Sequence, residues 1–166
     1  MTALISEQTN LKLDELVTML FAGNRLTDAG VSELDVHFCM PKTSSILHAK
    51  FAHALPMLGD AVSDFQASRN NKTIYGVTPK DGTIYSSPLE FFQKLLAYMI
   101  ELESLVYDCY EVAKDDNDFM TKVFLESFIL KLAPYTKQCL LLTDKAEIYG
   151  GNFMGFDHRI EDFMVI

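Results

Sequence analysis

Apolar residues recur every three or four positions along residues 118–145, and this periodicity constrains the fold more than any other feature of the chain. Such spacing is typical of a helix that packs into a bundle. Asp118 is a suitable first residue, because a short acidic side chain can accept hydrogen bonds from the free backbone amides of a first turn. The face predicted to be buried consists of Leu125, Phe128, Leu132, Tyr135, Cys139 and Leu142. It contains no carboxylate and no histidine, the groups with which bundle proteins hold metal ions.

Helical spacing predicts three more long helices, at residues 9–38, 43–68 and 88–114, and a short terminal helix at 157–164. On the first helix, the residues expected to face the core are Met19, Ala22, Leu26, Ala29 and Val36. On the second, they are His48, Phe51, Leu55, Leu58, Val62 and Phe65. On the third, they are Phe92, Leu95, Met99, Leu102, Val106, Cys109 and Ala113.

Two short links and one long link connect these helices. Residues 70–87 are rich in Asn, Gly, Pro and Ser and have no helical period, which indicates a crossover loop. A link of this length can run along the whole bundle and make the second and third helices parallel. The sequence therefore predicts an all-α, ferritin-like four-helix bundle with one long crossover and a short fifth helix, in a single domain over 1–166.

Two prolines lie inside predicted helices, Pro56 in the second and Pro134 in the fourth. A proline inside a helix removes a backbone hydrogen bond. The apolar spacing continues in phase past both residues, so we expect kinked but continuous helices.

Charge and cysteine content exclude several classes of function. The chain has 14 Lys and Arg against 23 Asp and Glu, so it lacks the clustered positive charge that nucleic-acid binding requires. Its three cysteines, Cys39, Cys109 and Cys139, are widely spaced, which favours free buried thiols in a reducing cytoplasm. We find no signal peptide, and no apolar run reaches the roughly 18 residues of a membrane span. A cytoplasmic protein without nucleic-acid or membrane partners is predicted.

Four segments together resemble the bacterial non-haem ferritins. They are YSSPLEFFQ at the end of the crossover, DNDFMTKVFLESF and YTKQCLLLTDKAEIYG at the two ends of the fourth helix, and NFMGFDHRIEDF in the tail, which is similar to that family's short fifth helix. The resemblance covers nearly the whole chain, and it depends on the order and lengths of the segments more than on any single motif.

In that family, ferrous iron is oxidised at a dinuclear centre that glutamates and a histidine hold inside each bundle. The resemblance places the first-helix glutamate and tyrosine at Ala22 and Ala29, and the second-helix glutamate and histidine at Leu55 and Leu58. The third-helix glutamate falls at Met99. The fourth-helix positions are occupied by Lys131, Leu132, Pro134 and Tyr135. Leucine and methionine cannot replace hard oxygen ligands of iron, so we expect no intact ferroxidase centre, no catalytic residue and no tightly bound cofactor.

The resemblance therefore implies a ferritin-like cage subunit with a degenerate ferroxidase centre. We expect a homo-oligomer, up to a shell of 24 subunits, or co-assembly with an active ferritin, in an iron-storage role in which iron binds without catalysis. Two alternatives remain open at this point. The chain could be an active ferroxidase that uses displaced ligands, or a structural or binding bundle with no role in iron chemistry.

Glu33, His37 and His48 are the remaining candidates for a metal site. Glu33 and His37 are four residues apart on one helical face, and the turn between the first two helices could bring His48 to them. A polar pair beside an exposed histidine is the competing interpretation, and the one that we favour. His53 follows His48 by five residues, about 140° around an α-helix, so we expect that these two imidazoles do not share a metal ion.

Overall fold

A computed structural model describes residues 2–166, which are all-helical apart from the links and the two ends. The bundle is built from α1 (Glu7–Val36), α2 (Pro41–Leu47), α3 (Ala54–Ser68), α4 (Pro88–Asp115) and α5 (Phe119–Tyr149). Two short helices follow, α6 (Phe153–His158) and α7 (Ile160–Phe163). A π-helical turn, His48–Ala52, joins α2 to α3, so these segments together form one rod of the bundle.

Polar contacts show that α1 and α3 are antiparallel. Asn10, early in α1, accepts a hydrogen bond from Gln66 near the end of α3 (3.1 Å). Asn24, later in α1, donates to the carbonyl of Ala52 just before α3 begins (3.1 Å). The residue numbers of the two helices therefore run in opposite directions along the shared interface.

The contacts of α4 show that it is antiparallel to α1 as well. The Tyr98 hydroxyl donates to the carbonyl of Met19 (2.6 Å), and the Cys109 thiol donates to the carbonyl of Lys12 (3.3 Å). Because α3 and α4 both oppose α1, they are parallel to each other. The prediction that the second and third rods are parallel is therefore confirmed.

The crossover, residues 69–87, lies along the surface of α1. The backbone N–H of Ile74 donates to Asp14 (3.0 Å), and that of Gly76 donates to the Thr18 hydroxyl (2.8 Å). Both segments advance in the same direction, which carries the chain from the end of α3 to the opposite end of the bundle. α4 can then start there.

Side-chain caps mark the starts of three long helices. Ser6 accepts from the N–H of Thr9 at the start of α1, and Ser87 accepts from that of Glu90 at the start of α4. Asp118, the residue expected to start the fourth rod, accepts from the N–H of Thr121. Each cap satisfies one of the backbone donors that a first turn leaves free, worth about 1 kcal/mol.

The predicted buried faces hold for α4 and largely for α5, but not for α1, and on the second rod the expectation that His48 faces the core is wrong, because it is exposed. All seven core residues predicted on α4 are buried, and so are five of the six on α5, with Tyr135 half-buried. On α1, Val36 is 68% exposed and Met19, Ala22 and Ala29 are only partly buried. The buried face of α1 instead consists of large apolar residues that the prediction left out, together with three small ones: Leu13, Leu16, Val17, Leu20, Val31 and Leu34, with Gly23, Thr27 and Gly30.

Gly30 is required because an aromatic ring occupies the space beside it. A Cβ built at this position would lie 1.9 Å from Cε2 of Phe91. At Gly23 a Cβ would lie 2.9 Å from both Leu55 and Tyr98. The two glycines therefore bring α1 close enough to its neighbours for these large side chains to pack across it.

Pro56 is the third residue of α3, and it is not in the middle of a regular helix. A proline costs less in a first turn, where its missing N–H is not needed. The carbonyl four residues earlier, that of Ala52, accepts from Asn24 (3.1 Å). Pro134 does lie inside α5, which continues unbroken to Tyr149 as the sequence predicts.

The tail folds back onto the end of the bundle. Phe156, Ile160 and Phe163 are buried in the core, and Asp157 accepts from the backbone N–H of Thr43 at the start of α2 (2.6 Å). The short terminal helix expected at 157–164 is thus two helical pieces that begin at Phe153. Along residues 2–166, every helix is too short or too polar to cross a membrane.

Candidate functional site: the interior of the bundle

Apolar side chains fill the middle of the bundle, where the resemblance places a dinuclear iron centre. Leu55, Met99 and Leu132 come from three different rods, and each is 0% exposed. All three belong to one continuous hydrophobic core. Fully burying a side chain of this kind stabilises a fold by about 1.5–3 kcal/mol, so this region contributes to stability.

The other positions of the expected centre lie toward the surface. Ala22 lines a groove between α1 and α4, and its neighbour Gly23 is the residue that contacts Leu55. Ala29 and Leu58 are half-buried. On the fourth rod, Lys131 and Pro134 are exposed. Tyr135 is half-buried, and its ring packs edge-on against Phe51.

A polar group beside this layer, the Tyr98 hydroxyl, is already satisfied. Tyr98 donates its hydroxyl hydrogen to the carbonyl of Met19 (2.6 Å), which ties α4 to α1 beside Gly23. Burial raises the pKa of the Tyr98 phenol to about 12, and nearby Glu101 adds to the effect. The phenol therefore stays neutral, and it serves as a structural crosslink.

These residues do not fit a buried pair of iron ions. Iron in bundle proteins is held by several carboxylates with histidine, whereas the central positions here offer hydrocarbon and a thioether. Among residues 2–166, Asp14 is the only charged residue that is buried. Within the same range, no three His, Cys, Asp or Glu side chains are grouped so that they could hold a metal ion.

Asp14 is committed to a structural network at the edge of the bundle. One carboxylate oxygen, Oδ1, accepts from the Gln66 amide (2.8 Å) and from the N–H of Ile74 (3.0 Å). Gln66 is itself 0% exposed and accepts from the Thr73 hydroxyl (2.9 Å). The second oxygen, Oδ2, is buried without a partner. This carboxylate therefore attaches the crossover to α1 and α3.

The three candidate metal ligands form separate pairs. Nδ1 of His37 lies 2.5 Å from a carboxylate oxygen of Glu33, while Nδ1 of His48 lies 2.9 Å from a carboxylate oxygen of Asp28. Asp28 is a partner that the sequence reasoning missed. The sequence did contain a signal for it, because Asn24 and Asp28 are four residues apart and therefore lie on one face of α1. In the structure the Asn24 amide donates to Asp28 (3.1 Å).

The expectation that His48 and His53 lie on different faces is wrong. Their ring centroids are 4.4 Å apart, in an edge-to-face arrangement. The prediction assumed 3.6 residues per turn, whereas His48 begins a π-helical turn, whose wider winding places residues i and i+5 on one face.

The cysteines do not form a reactive site. Cys109 and Cys139 are buried as expected, and burial raises the pKa of both thiols, that of Cys109 to about 12. Cys39 is exposed, contrary to the expectation that all three are buried, and it occupies the turn after α1 with a φ of 53°.

Comparison with known proteins identifies the fold. No protein-family model matches the sequence, and no curated protein sequence matches it. The open-pore ferritin of the hyperthermophilic archaeon Archaeoglobus fulgidus superposes with a TM-score of 0.89 over 99% of each chain, at 16% identity. An engineered closed form of that ferritin gives 0.88 over 98% of each chain, also at 16% identity. A variant of PmFTN soaked in iron gives 0.84 at 18% identity, covering 92% of this chain and 98% of that one.

The likeness extends over the whole rod arrangement and the tail, although fewer than one residue in five is identical. Agreement of this kind establishes the architecture and leaves membership of the ferritin family as a prediction. This chain has the ferritin-like fold: a four-helix bundle with one long crossover, closed at one end by short terminal helices.

Proposed function

We propose that the chain is a cytoplasmic subunit of a ferritin-type shell that has no oxidising centre of its own. It would assemble with copies of itself, up to a 24-subunit particle, or with an active ferritin that supplies the oxidation step. Iron would enter as cargo, bound or mineralised without catalysis by this subunit. One observation carries the proposal: in a ferritin-like fold, the central positions Leu55, Met99 and Leu132 are apolar and completely buried.

The interior argues against a displaced dinuclear centre inside the bundle. A buried iron pair without carboxylates would leave a large positive charge uncompensated, at a high cost in free energy. Asp14, the one buried charge of residues 2–166, already binds Gln66 and the crossover. An active ferroxidase would therefore need ligands outside the bundle interior.

The surface supports assembly over a solitary structural bundle. The crossover exposes four large apolar side chains: Ile74, Tyr75, Val77 and Ile84, each between 58% and 90% exposed. Three of them, Ile74, Tyr75 and Val77, lie within four consecutive residues, and exposed apolar side chains that are grouped together commonly mark contact surfaces. A shell in which these residues meet a neighbouring subunit would remove them from water.

Native mass spectrometry of the purified chain tests the assembly. A closed particle of many subunits is expected, either from the chain alone or after co-expression with a ferritin that has an intact centre. A monomer under both conditions would contradict the proposal and favour the non-iron bundle.

Rapid mixing with ferrous iron in air tests the absence of an oxidising centre. Oxygen consumption should match that of buffer at low iron loading, with slow mineral growth only at high loading. A ferritin with an intact centre serves as the positive control. Fast oxidation at a few iron ions per chain would contradict this part of the proposal and establish the displaced-ligand alternative.

A further inference from the structure

A pair of histidines on the surface of the second rod has the chemistry of a metal site, and it does not depend on the proposed function. His48 starts the π-helical turn, and His53 immediately precedes α3. Both are exposed, and their rings pack edge to face with centroids 4.4 Å apart. π-Helical turns are rare and frequently occur at functional sites.

Beside the histidine pair, the carboxylate of Asp28 contacts the ring of His48. Asp28 Oδ1 lies 2.9 Å from Nδ1 of His48, while its Oδ2 accepts from Asn24 (3.1 Å). Asn24 also donates to the carbonyl of Ala52, the last residue of the π-helical turn (3.1 Å). The carboxylate is therefore fixed between α1 and the turn. A proton held on Nδ1 of a neutral imidazole leaves the lone pair on Nε2, the arrangement found where a carboxylate orients a metal-binding histidine.

We propose that His48 and His53 bind one divalent transition-metal ion that prefers imidazole nitrogen, of the class of Zn²⁺, Ni²⁺ and Cu²⁺. His48 would bind through Nε2, with Asp28 as its positioning residue, and water would complete the coordination. Two imidazoles bound at metal–nitrogen distances of about 2.0–2.1 Å in tetrahedral geometry hold their ring centroids roughly 5 Å apart. From their present edge-to-face contact the rings would move apart by about 1 Å and also rotate, so that one nitrogen of each ring faces the ion. Borderline ions are favoured over hard ones because both ligands are nitrogens.

The charged groups around the pair do not block the site. Lys50, which lies within the π-helical turn, is directed to the chain terminus, where its Nζ donates to the carbonyl of Ile166 (2.9 Å). Arg25, Lys80 and Asp81 line a polar surface pocket together with Asp28, on the α1 side of the pair. Asp28 thus lies between His48 on one side and Arg25, Lys80 and Asp81 on the other, and the metal ion would approach from the exposed side of the two histidine rings.

Calorimetry with Zn²⁺ on tag-free, full-length protein tests the site. Wild type is expected to show one binding step per chain that is lost in both His48→Ala and His53→Ala. His37→Ala is the matched control, because His37 is also exposed and also contacts a carboxylate, that of Glu33, but has no second imidazole beside it. It should keep the step. Asp28→Asn should weaken binding by roughly 10–100-fold, as is usual when a carboxylate behind a ligating histidine is removed.

Electron paramagnetic resonance with one equivalent of Cu²⁺ identifies the ligands independently. Nitrogen hyperfine structure from two imidazoles is expected in wild type and from one or none in His53→Ala. Circular dichroism of each variant verifies that it is folded, which the exposure of both rings favours. An unchanged Zn²⁺ step in His53→Ala, or an equal loss in His37→Ala, would overturn the proposal. Failure of the protein to form a shell would leave it intact.

Discussion

The middle of the bundle and its crossover edge differ in whether they contain a buried carboxylate. In the middle, Leu55, Met99 and Leu132 converge without a charged group. At the edge, a buried carboxylate, Asp14, lies at the centre of a hydrogen-bonded network with Gln66 and the crossover. A buried carboxyl group is present where it holds backbone in place, and none is present at the central positions where the resemblance to ferritins would place metal ligands. The buried carboxylate of Asp14 thus has a structural role, in which it joins the crossover to α1 and α3.

The strongest test of this contrast places a carboxylate in the middle. Met99→Glu should destabilise the protein by roughly 3–5 kcal/mol, the usual effect of a buried charge without a partner. Met99→Leu is the matched control and should cost less than about 1.5 kcal/mol, because it conserves volume and polarity. Urea unfolding of both variants measures the difference. A Met99→Glu variant as stable as Met99→Leu would indicate that the interior can accommodate charge.

Removing the carboxylate at the edge should have an intermediate effect. Asp14→Ala leaves the Gln66 amide and the Ile74 N–H without their acceptor, which should cost roughly 1–3 kcal/mol. Asp14→Asn retains an accepting oxygen and should cost less. Asp60→Ala, at an exposed position of α3, serves as the control and should fall within about 0.5 kcal/mol of wild type. If all three variants unfolded at the same urea concentration, the network would not stabilise the crossover.

An exposed carboxylate at the same end of the bundle should give the smallest effect, visible as a pH dependence. The hydroxyls of Ser6 and Thr9 donate to Asp116 and lower its pKa below the ordinary value of 3.8. A lowered folded-state pKa means that Asp116 stabilises the fold above 3.8 and that this contribution is lost as the pH falls through the folded-state value. The stability difference between wild type and Asp116→Asn should therefore shrink in acid. Asp115→Asn provides the control, and a difference that is constant with pH would contradict the assignment.

The sequence predicts the rods better than it predicts their faces, for a physical reason. On α4 and α5, large apolar side chains fill the core, so spacing alone identifies Leu95, Met99 and Leu132. On α1 the buried face combines large residues such as Leu16, Leu20 and Leu34 with Gly23 and Gly30, which do not register as hydrophobic. The glycines interrupt the apolar pattern, and the predicted face was a different one that includes Ala22.

The surface histidines show a second limit of sequence reasoning. With a regular period of 3.6 residues per turn, His48 and His53 would lie on different faces of the helix, and the π-helical turn brings them together. This turn is a local change of winding between α2 and α3, just before Pro56, and residue types alone do not specify it. The apolar character of the central positions, by contrast, could be predicted, because the residue type at each position is read directly from the sequence and does not depend on the local helical geometry.

Anomalous diffraction at the iron absorption edge, from crystals soaked in ferrous iron in air, would locate any iron within the subunit. No anomalous peak is expected among Leu55, Met99 and Leu132, and any iron should lie on the surface of the subunit. Two peaks about 3.5–4 Å apart inside one bundle, the spacing of a two-metal site, would contradict this expectation.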